Sequence, residues 1–378
     1  MFASGRNTYI LRQYLYEIPY WMFILFVFVI IRFGGSSQEY PDVQIFYDRP
    51  SFSTLLLYAI ISGALLGGIF ATIRIHLFKD MCQNKSVGRS ILIENAGLLL
   101  VFIFILALFL SSHFISLGYT LDNIHSYVTN TFHLSSISIL LGFFFYGGIQ
   151  FSLILEADKK LGINVLKNLL LGKYHHPKQE NRIFMFLDMK GSTTTAETLG
   201  HLKYSKFLQD IFKLLTDLVI DFKAEIYQFV GDEVVLTWKS DLGYRKNNAL
   251  HFFYGFQTIL KENDNYFTRN YGVIPIFKAA IHRGIVSVAE VGEISTQIAY
   301  HGDVVNTTSR IQELCNVYDT HLLVSEKFMS GMESQPANFK ENAAEINLRG
   351  RSEPVTIYSL EKALTTKVVL PESRMQKL

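Results

Sequence analysis

Up to about Leu155 the chain is dominated by long apolar runs, whereas after Lys159 charged residues return every few positions, as on a water-soluble domain. Four runs, Ile18 to Arg32, Phe52 to Ile73, Ile93 to Ser116 and Leu134 to Leu155, predict membrane-spanning helices, since a span takes about 20 mostly apolar residues. The first lacks a clear small-residue cleavage site and is followed by three more, so it reads as a retained anchor rather than a secretion signal. In the second, Ala59, Gly63 and Gly67 recur at four-residue spacing. Such a small face lets helix backbones approach closely, either inside one bundle or against a second chain.

Residues 156–182, EADKKLGINVLKNLLLGKYHHPKQENR, read as a connector. A short amphipathic helix carries Ile163, Leu166, Leu169 and Leu170 and ends at Gly172, before a basic turn containing proline. His175 and His176 belong to that turn; adjacent side chains rarely converge on one ion, and no other ligand sits nearby in sequence.

From Arg182 the periodicity alternates. The strand IFMFLD runs into a polar turn, MKGSTTT, and a helix is predicted from Ala196 to Phe222 with apolar positions Leu199, Phe207, Ile211, Leu214, Leu215 and Leu218. The stretch EIYQFVGDEVVL reads as a hairpin bent at Gly231-Asp232. A helix from Lys246 to Lys261, the strands IPIFKAAIH and SVAEV, a turn HGD, the helix VVNTTSRIQELC, a strand LLVS and a final pair, AEINLR and VTIYSL, complete the chain. Helices on one face of a mixed sheet in βαββαβ order predict a ferredoxin-like α+β domain with appended strands. The expected organisation is therefore a transmembrane domain over 1–155, a linker over 156–182, a catalytic domain over 183–363 and a tail over 364–378.

Composition adds two constraints. The formal charge is +2 and no basic cluster stands out, which gives no reason to expect nucleic acid as a partner. Lys and Arg are placed unevenly: Arg6 and Arg12 precede the first span, Arg74, Lys79, Lys85 and Arg89 lie between the second and third, and Lys159 and Lys160 follow the fourth. The other two loops hold almost none, so both termini are expected on the cytoplasmic side of a plasma or inner membrane. Cys82 and Cys315 then face a reducing compartment, and no CxxC or Cys/His metal spacing exists. His113, Glu94 and Glu156, near span ends, read as interfacial rather than as ligands.

Two strand ends carry acids. Asp188 closes the first strand and Asp232 sits on the hairpin that lies beside it in such a sheet, so the two carboxylates should converge. Mg²⁺ favours one or two protein carboxylates plus phosphate oxygens and water over a complete protein cage. The turn Lys190-Gly191-Ser192-Thr193 leads into a helix whose free N–H groups can receive phosphate. Together these features describe a nucleoside-triphosphate site using two metal ions.

At this point FLDMKGST, YQFVGDEVV and HGDVVNTTSR resemble the three signature segments of class III nucleotide cyclases, in the family's order, within Ile183 to Leu360. The resemblance implies that Asp188 and Asp232 bind two Mg²⁺ or Mn²⁺ ions, with the Met189 carbonyl assisting. It implies that Asn306 orients the ribose and that Arg310 meets charge developing on the α-phosphate; their spacing of four puts both on one helical face. Arg349 stands where the family has a lysine contacting terminal phosphates, with Arg351 as the fallback, although a planar guanidinium is not equivalent to an ammonium. Glu233 matches no ligand and is expected to face solvent or a basic neighbour.

The family's aspartates come from one subunit and its Asn/Arg pair from the other, which implies a head-to-tail homodimer. For the base, Gln228 stands where adenylyl cyclases have Lys and guanylyl cyclases Glu, and Ala299 where Asp or Thr selects adenine. A glutamine amide can pair with either purine edge. Absence of the guanine-selecting acid favours ATP, and hence cyclic AMP made for intracellular signalling; GTP, a pyrimidine triphosphate or a non-catalytic binding module are the alternatives. A diguanylate cyclase would have no use for HGDVVNTTSR.

Overall fold

The computed structural model describes residues 5–33, 51–82, 85–116, 134–161, 165–294, 296–332, 339–346 and 354–362. The chain forms two compact units, one over Tyr9–Leu161 and one built from Gly162–Leu378.

The first unit is made of four long helices, α1 (Gly5–Phe33), α2 (Phe52–Ile73), α3 (Val87–Ser116) and α4 (Leu134–Leu161). Within them Ile10–Ile31, Phe52–Phe78, Val87–Leu108 and Ser138–Lys160 are long and apolar enough to cross a membrane. The core is aromatic: Trp21 stacks on Phe144 at 4.5 Å between ring centres, and Phe102 stacks on the same ring at 3.9 Å. The small face of α2 is used inside the chain. A Cβ on Gly63 would lie 2.6 Å from the Met22 Cα and one on Gly67 2.8 Å from the Ile18 Cα, so only glycine lets α1 and α2 come this close. Beyond Ile73 the helix widens into a π-helical turn, Arg74–Phe78. Arg74, counted above as a loop charge, is buried in the bundle, and the interfacial Glu94 of the sequence reading turns inward to pair with it.

In the second unit, the connector helix α5 (Val165–Leu170) stops before Gly172, which has φ +60°. There follow β1 (Lys178–Met189), α6 (Ser192–Leu199), α7 (His201–Asp221), β2 (Glu225–Val230), β3 (Glu233–Lys239), α8 (Asn248–Glu262), α9 (Asp264–Tyr271), β4 (Phe277–Val291), β5 (Gln297–His301), α10 (Asp303–Glu313), β6 (Leu322–Ser325), β7 (Phe339–Ile346) and β8 (Val355–Lys362). The sheet runs β2-β3-β1-β4-β6-β8-β7, with β5 paired to β4. Its β4-β1-β3-β2 portion is antiparallel throughout, the strand order of a ferredoxin-like βαββαβ unit.

Alternation along β1 explains how the sheet is covered. Ile183, Met185 and Leu187 join the core with Phe207, Ile211 and Leu215 of α7, while Phe184 and Phe186 point the other way to Val286, Val288 and Val304. Helices were expected on one face only; α10 and β5 cover part of the second, which is why β1 is buried continuously from Arg182 to Leu187.

Three further boundaries differ from the sequence reading. The helix expected from Ala196 is two helices, because Gly200 sits between them at φ +73°. The strands IPIFKAAIH and SVAEV are one 15-residue strand, β4. Its Gly284 marks no turn: a Cβ there would meet the Val304 Cγ2 at 2.5 Å, so the glycine makes room for α10. The short strand β5 went unrecognised because it is five residues long and only Ile298 and Tyr300 mark its core face.

Candidate active site

The β1–β3 register pairs Leu187 with Val234, so the next residues along each strand toward the turn, Asp188 and Glu233, lie side by side. Gly231 (φ +63°) makes the β2–β3 turn and brings Asp232 over the end of β1. The Asp232 carboxyl lies close enough to the Asp188 carboxyl and the Ser192 hydroxyl for both to act on its ionisation. Its second oxygen, Oδ2, is buried with no protein partner. Burial raises the Asp232 pKa; the Ser192 hydroxyl opposes this and the Asp188 charge adds to it.

Asp188 is held by two groups the sequence reading missed. Lys278, opposite it on β4, places Nζ 3.1 Å from its Oδ2, and the Gln312 amide donates to the same oxygen at 2.9 Å. Lys278 is buried and also donates to Asn316 at 3.2 Å. The available signal was a single cation inside the apolar run IPIFKAAIH, on a strand beside β1. Glu233 does not simply face solvent: it is half-buried near Asp188, Asp232 and Glu313, with Lys278 as its basic neighbour. Burial, then the two aspartates, push its carboxyl up to about 7.

The turn after β1 has the geometry an anion site needs. Gly191 caps α6 at φ +71°, leaving the amides of Ser192 and Thr193 in the first turn; Gly191 and Thr193 are exposed and Ser192 is half-buried. Lys190 is exposed and pairs with Asp319 at 3.1 Å. Met189 is buried opposite Phe277.

Asn306 and Arg310 lie on α10, anchored by buried Val304, Thr307, Thr308 and Ile311. Gln312, which reaches Asp188, is two residues beyond Arg310, about 200° around the helix. Arg310 therefore points away from this chain's own aspartates, and Asn306, one turn before it, is exposed. No hydrogen bond or ion pair joins either residue to Asp188 or Asp232 among the described residues. Gln228 is exposed on β2 beside a bulge, and Ala299 is buried on β5 opposite Ala289. Their neighbours Tyr227 and Tyr300 meet edge-on at 4.8 Å, so alternation turns Gln228 and Ala299 away from that contact. Arg349 and Arg351 lie outside the described residues.

His175 and His176 are exposed with ring centres 5.1 Å apart. Among the described residues no group of three or more His, Cys, Asp or Glu is arranged to hold a metal. The pair Asp188–Asp232 offers instead two carboxylates and one buried, unpartnered oxygen, a donor set that suits a hard cation completing its shell from phosphate and water.

The profile of the adenylate and guanylate cyclase catalytic domain matches residues 174–362, half of the 378-residue chain. Adenylate cyclase 2 of Rhizobium meliloti (strain 1021) is 30% identical over 207 residues, covering 55% of this chain and 57% of that protein. Adenylate cyclase of Anabaena cylindrica is 23% identical over 184 residues, covering 47% and 36%. The chain thus spans between about a third and three-fifths of the length of these curated relatives. Among solved structures, the adenylyl cyclase CyaB from P. aeruginosa is 18% identical with a TM-score of 0.43, covering 50% of this chain and 97% of that one. The guanylyl cyclase Cya2 is 20% identical with a TM-score of 0.42, covering 48% and 92%. With half its length matched by that one profile, this chain belongs to the adenylate and guanylate cyclase catalytic domain family.

Proposed function

We propose that the chain is a membrane-anchored adenylate cyclase that forms 3′,5′-cyclic AMP and pyrophosphate from ATP in a homodimer. The observation that carries this reading is the approach of Asp188 and Asp232 at the end of β1, with one Asp232 oxygen buried and unpartnered. Two Mg²⁺ or Mn²⁺ ions bound there would supply charge neutralisation for the triphosphate and acidify the ribose 3′-hydroxyl.

The chain's own residues do the rest. Asp188 and Asp232 hold the cations, with the Met189 carbonyl beside them, and Lys278 neutralises Asp188 until the cations take over. The amides of Gly191, Ser192 and Thr193 receive phosphate oxygens. Lys190, whose own N–H donates to the Ile276 carbonyl at 2.8 Å, adds its ammonium instead, and Arg349 is assigned to the terminal phosphates. Asn306 orients the ribose, and the Arg310 guanidinium stabilises charge on the α-phosphate as pyrophosphate leaves. Because Asn306 and Arg310 turn away from this chain's aspartates, a second copy supplies them, head to tail. Gln228 and Ala299 read the base, and the lack of a guanine-selecting acid there favours ATP. With Arg74 buried, Lys79, Lys85 and Arg89 still load one loop, which favours a cytoplasmic N-terminus and catalytic unit in a plasma or inner membrane.

The test is complementation in purified full-length protein. Asp188→Ala and Arg310→Ala should each lose turnover, and an equal mixture should recover about a quarter of wild-type activity, since half the dimers then hold one intact site. No recovery on subunit exchange overturns the shared site. Assaying four nucleoside triphosphates with Mn²⁺ identifies the base, and preference for GTP or a pyrimidine overturns the choice of ATP.

A further inference from the structure

The interior of the helical unit holds a charged cluster drawn from all four helices. Glu17 of α1 has no exposed surface, and Arg74, at the start of the π-helical turn, is 6% exposed. The Arg74 guanidinium donates through Nε to Glu17 Oε1 at 3.4 Å, and through Nη1 to Glu94 of α3 and to Ser152 Oγ of α4 at 3.2 Å. Asn95 donates to the same Ser152 oxygen at 3.0 Å. Four buried polar atoms are left without a hydrogen-bond partner: Glu17 Oε2, Trp21 Nε1, Arg74 Nη2 and Asn95 Oδ1. The indole of Trp21, one turn beyond Glu17, is fully buried beside the same carboxyl without hydrogen-bonding to it.

The charges do not cancel. Two carboxylates face one guanidinium; of the other charged groups nearby among the described residues, Arg12 pairs with Asp158 at 2.6 Å, Lys159 pairs with Glu156 at 3.2 Å, and Lys85, near Cys82, is exposed. Cys82 lies near Glu94 but adds no cation, and His76 on the π-helical turn is exposed. One net negative charge thus remains among apolar helices, where an uncompensated buried ion costs several kcal/mol. Something of single positive charge must offset it. An alkali cation would need space and would face the repulsion of the adjacent guanidinium; a proton adds no volume and turns an orphaned acceptor oxygen into a donor.

We propose that Glu17 and Glu94, clamped by Arg74, form a proton-binding site inside the membrane bundle that holds one exchangeable proton. The proton belongs to the pair rather than to either carboxyl. With it present, Arg74 serves one carboxylate; with it gone, Arg74 is shared between two. The change falls where α2 passes into the π-helical turn, a local geometry that recurs at functional sites. The bundle thereby has two arrangements set by proton occupancy.

The test uses the full-length protein in lipid nanodiscs. Infrared difference spectra between alkaline and acidic buffer should show a protonated-carboxyl C=O band that is lost in both Glu17→Gln and Glu94→Gln, because removing either charge neutralises the cluster. Trp21 emission should shift over the same pH interval in wild type and stay constant in both variants, and Trp21→Phe identifies the reporter. If Glu17→Gln fails to fold, Glu94→Gln gives the same answer. A wild-type spectrum with no band sensitive to either substitution overturns the proposal. An emission shift produced by Na⁺ or K⁺ at fixed pH also overturns it, in favour of a metal-cation site.

Discussion

Each unit of the chain gathers acids around one buried cation, and the two clusters differ in access. Asp188 and Asp232 stand at the open end of β1, where the Asp188 side chain keeps 24% of its surface and a turn with free amides lies next to it. Glu17 and Glu94 stand between helices, with Glu17 wholly enclosed. An open pair can recruit a large charged ligand to offset its excess charge, because a cation can arrive with its own water and phosphate shell. Glu94 keeps 18% of its side-chain surface, but the enclosed Glu17 behind it can exchange only what passes between packed helices. The same arithmetic of charge therefore leads to different chemistry once solvent access differs.

The comparison breaks most readily at Asp188. Asp188→Asn keeps the shape and removes the charge, and turnover measured as pyrophosphate release should fall to about one per cent or less, the scale set by loss of a single preorganised electrostatic group. Thermal unfolding should change little, since Lys278 retains Asn316. A variant with near wild-type turnover would mean that the open pair is no more a cation site than any other strand end.

Next in size is a pair of substitutions on α2. Gly63→Leu drives side-chain atoms into the α1 backbone, where a Cβ alone would already sit 2.6 Å from Met22 Cα, and should cost about 3 kcal/mol of bundle stability. Gly68, where a Cβ would meet nothing within 4 Å, should accept leucine within about 0.5 kcal/mol. Thermal aggregation of full-length protein in detergent reads both. Equal tolerance at the two positions would mean the α1–α2 contact does not seal the bundle.

How legible each unit was in sequence follows from the range of its signals. Apolar length is local, so all four helices were found, with ends displaced by several residues. The order of strands and the convergence of Asp188 with Asp232 also followed from local pattern, because βαββαβ connectivity fixes which strands adjoin. What escaped depended on contacts between distant residues. Lys278 and Gln312 gain their meaning only from lying on Asp188, and Gly284, between the two strands read as IPIFKAAIH and SVAEV, is explained only once Val304 is seen against it. Glu17 and Arg74 are 57 residues apart, and Arg74 looked like one more loop cation. Periodicity carries no information on which helix faces which.

A smaller effect probes crowding in the catalytic unit. Gly284→Ala meets the flexible Val304 side chain rather than backbone, so it should cost only about 2 kcal/mol by unfolding. Because Val304 anchors the helix that carries Asn306 and Arg310, kcat should fall further than that loss of stability accounts for, with KM little changed. A loss confined to stability would show that α10 keeps its place when Val304 moves.

The smallest effect concerns an acid that is neither open nor sealed. Asp210 on α7 is 12% exposed and accepts hydrogen bonds from Lys206 at 2.7 Å, Tyr266 at 2.9 Å and Tyr271. Burial pushes its pKa up, but the three donors outweigh burial and the net direction is down. A carboxyl with a folded pKa below its unfolded value, about 3.9, adds stability that is present above that value and lost as pH falls through the folded one. Asp210→Asn should therefore destabilise the catalytic unit by about 1 kcal/mol at neutral pH, with the gap to wild type closing in acid. Thermal unfolding of both proteins at neutral pH and well below the unfolded pKa measures this; a gap independent of pH would assign the effect to packing, because the neutral amide of Asn fills the same space but carries no charge to titrate.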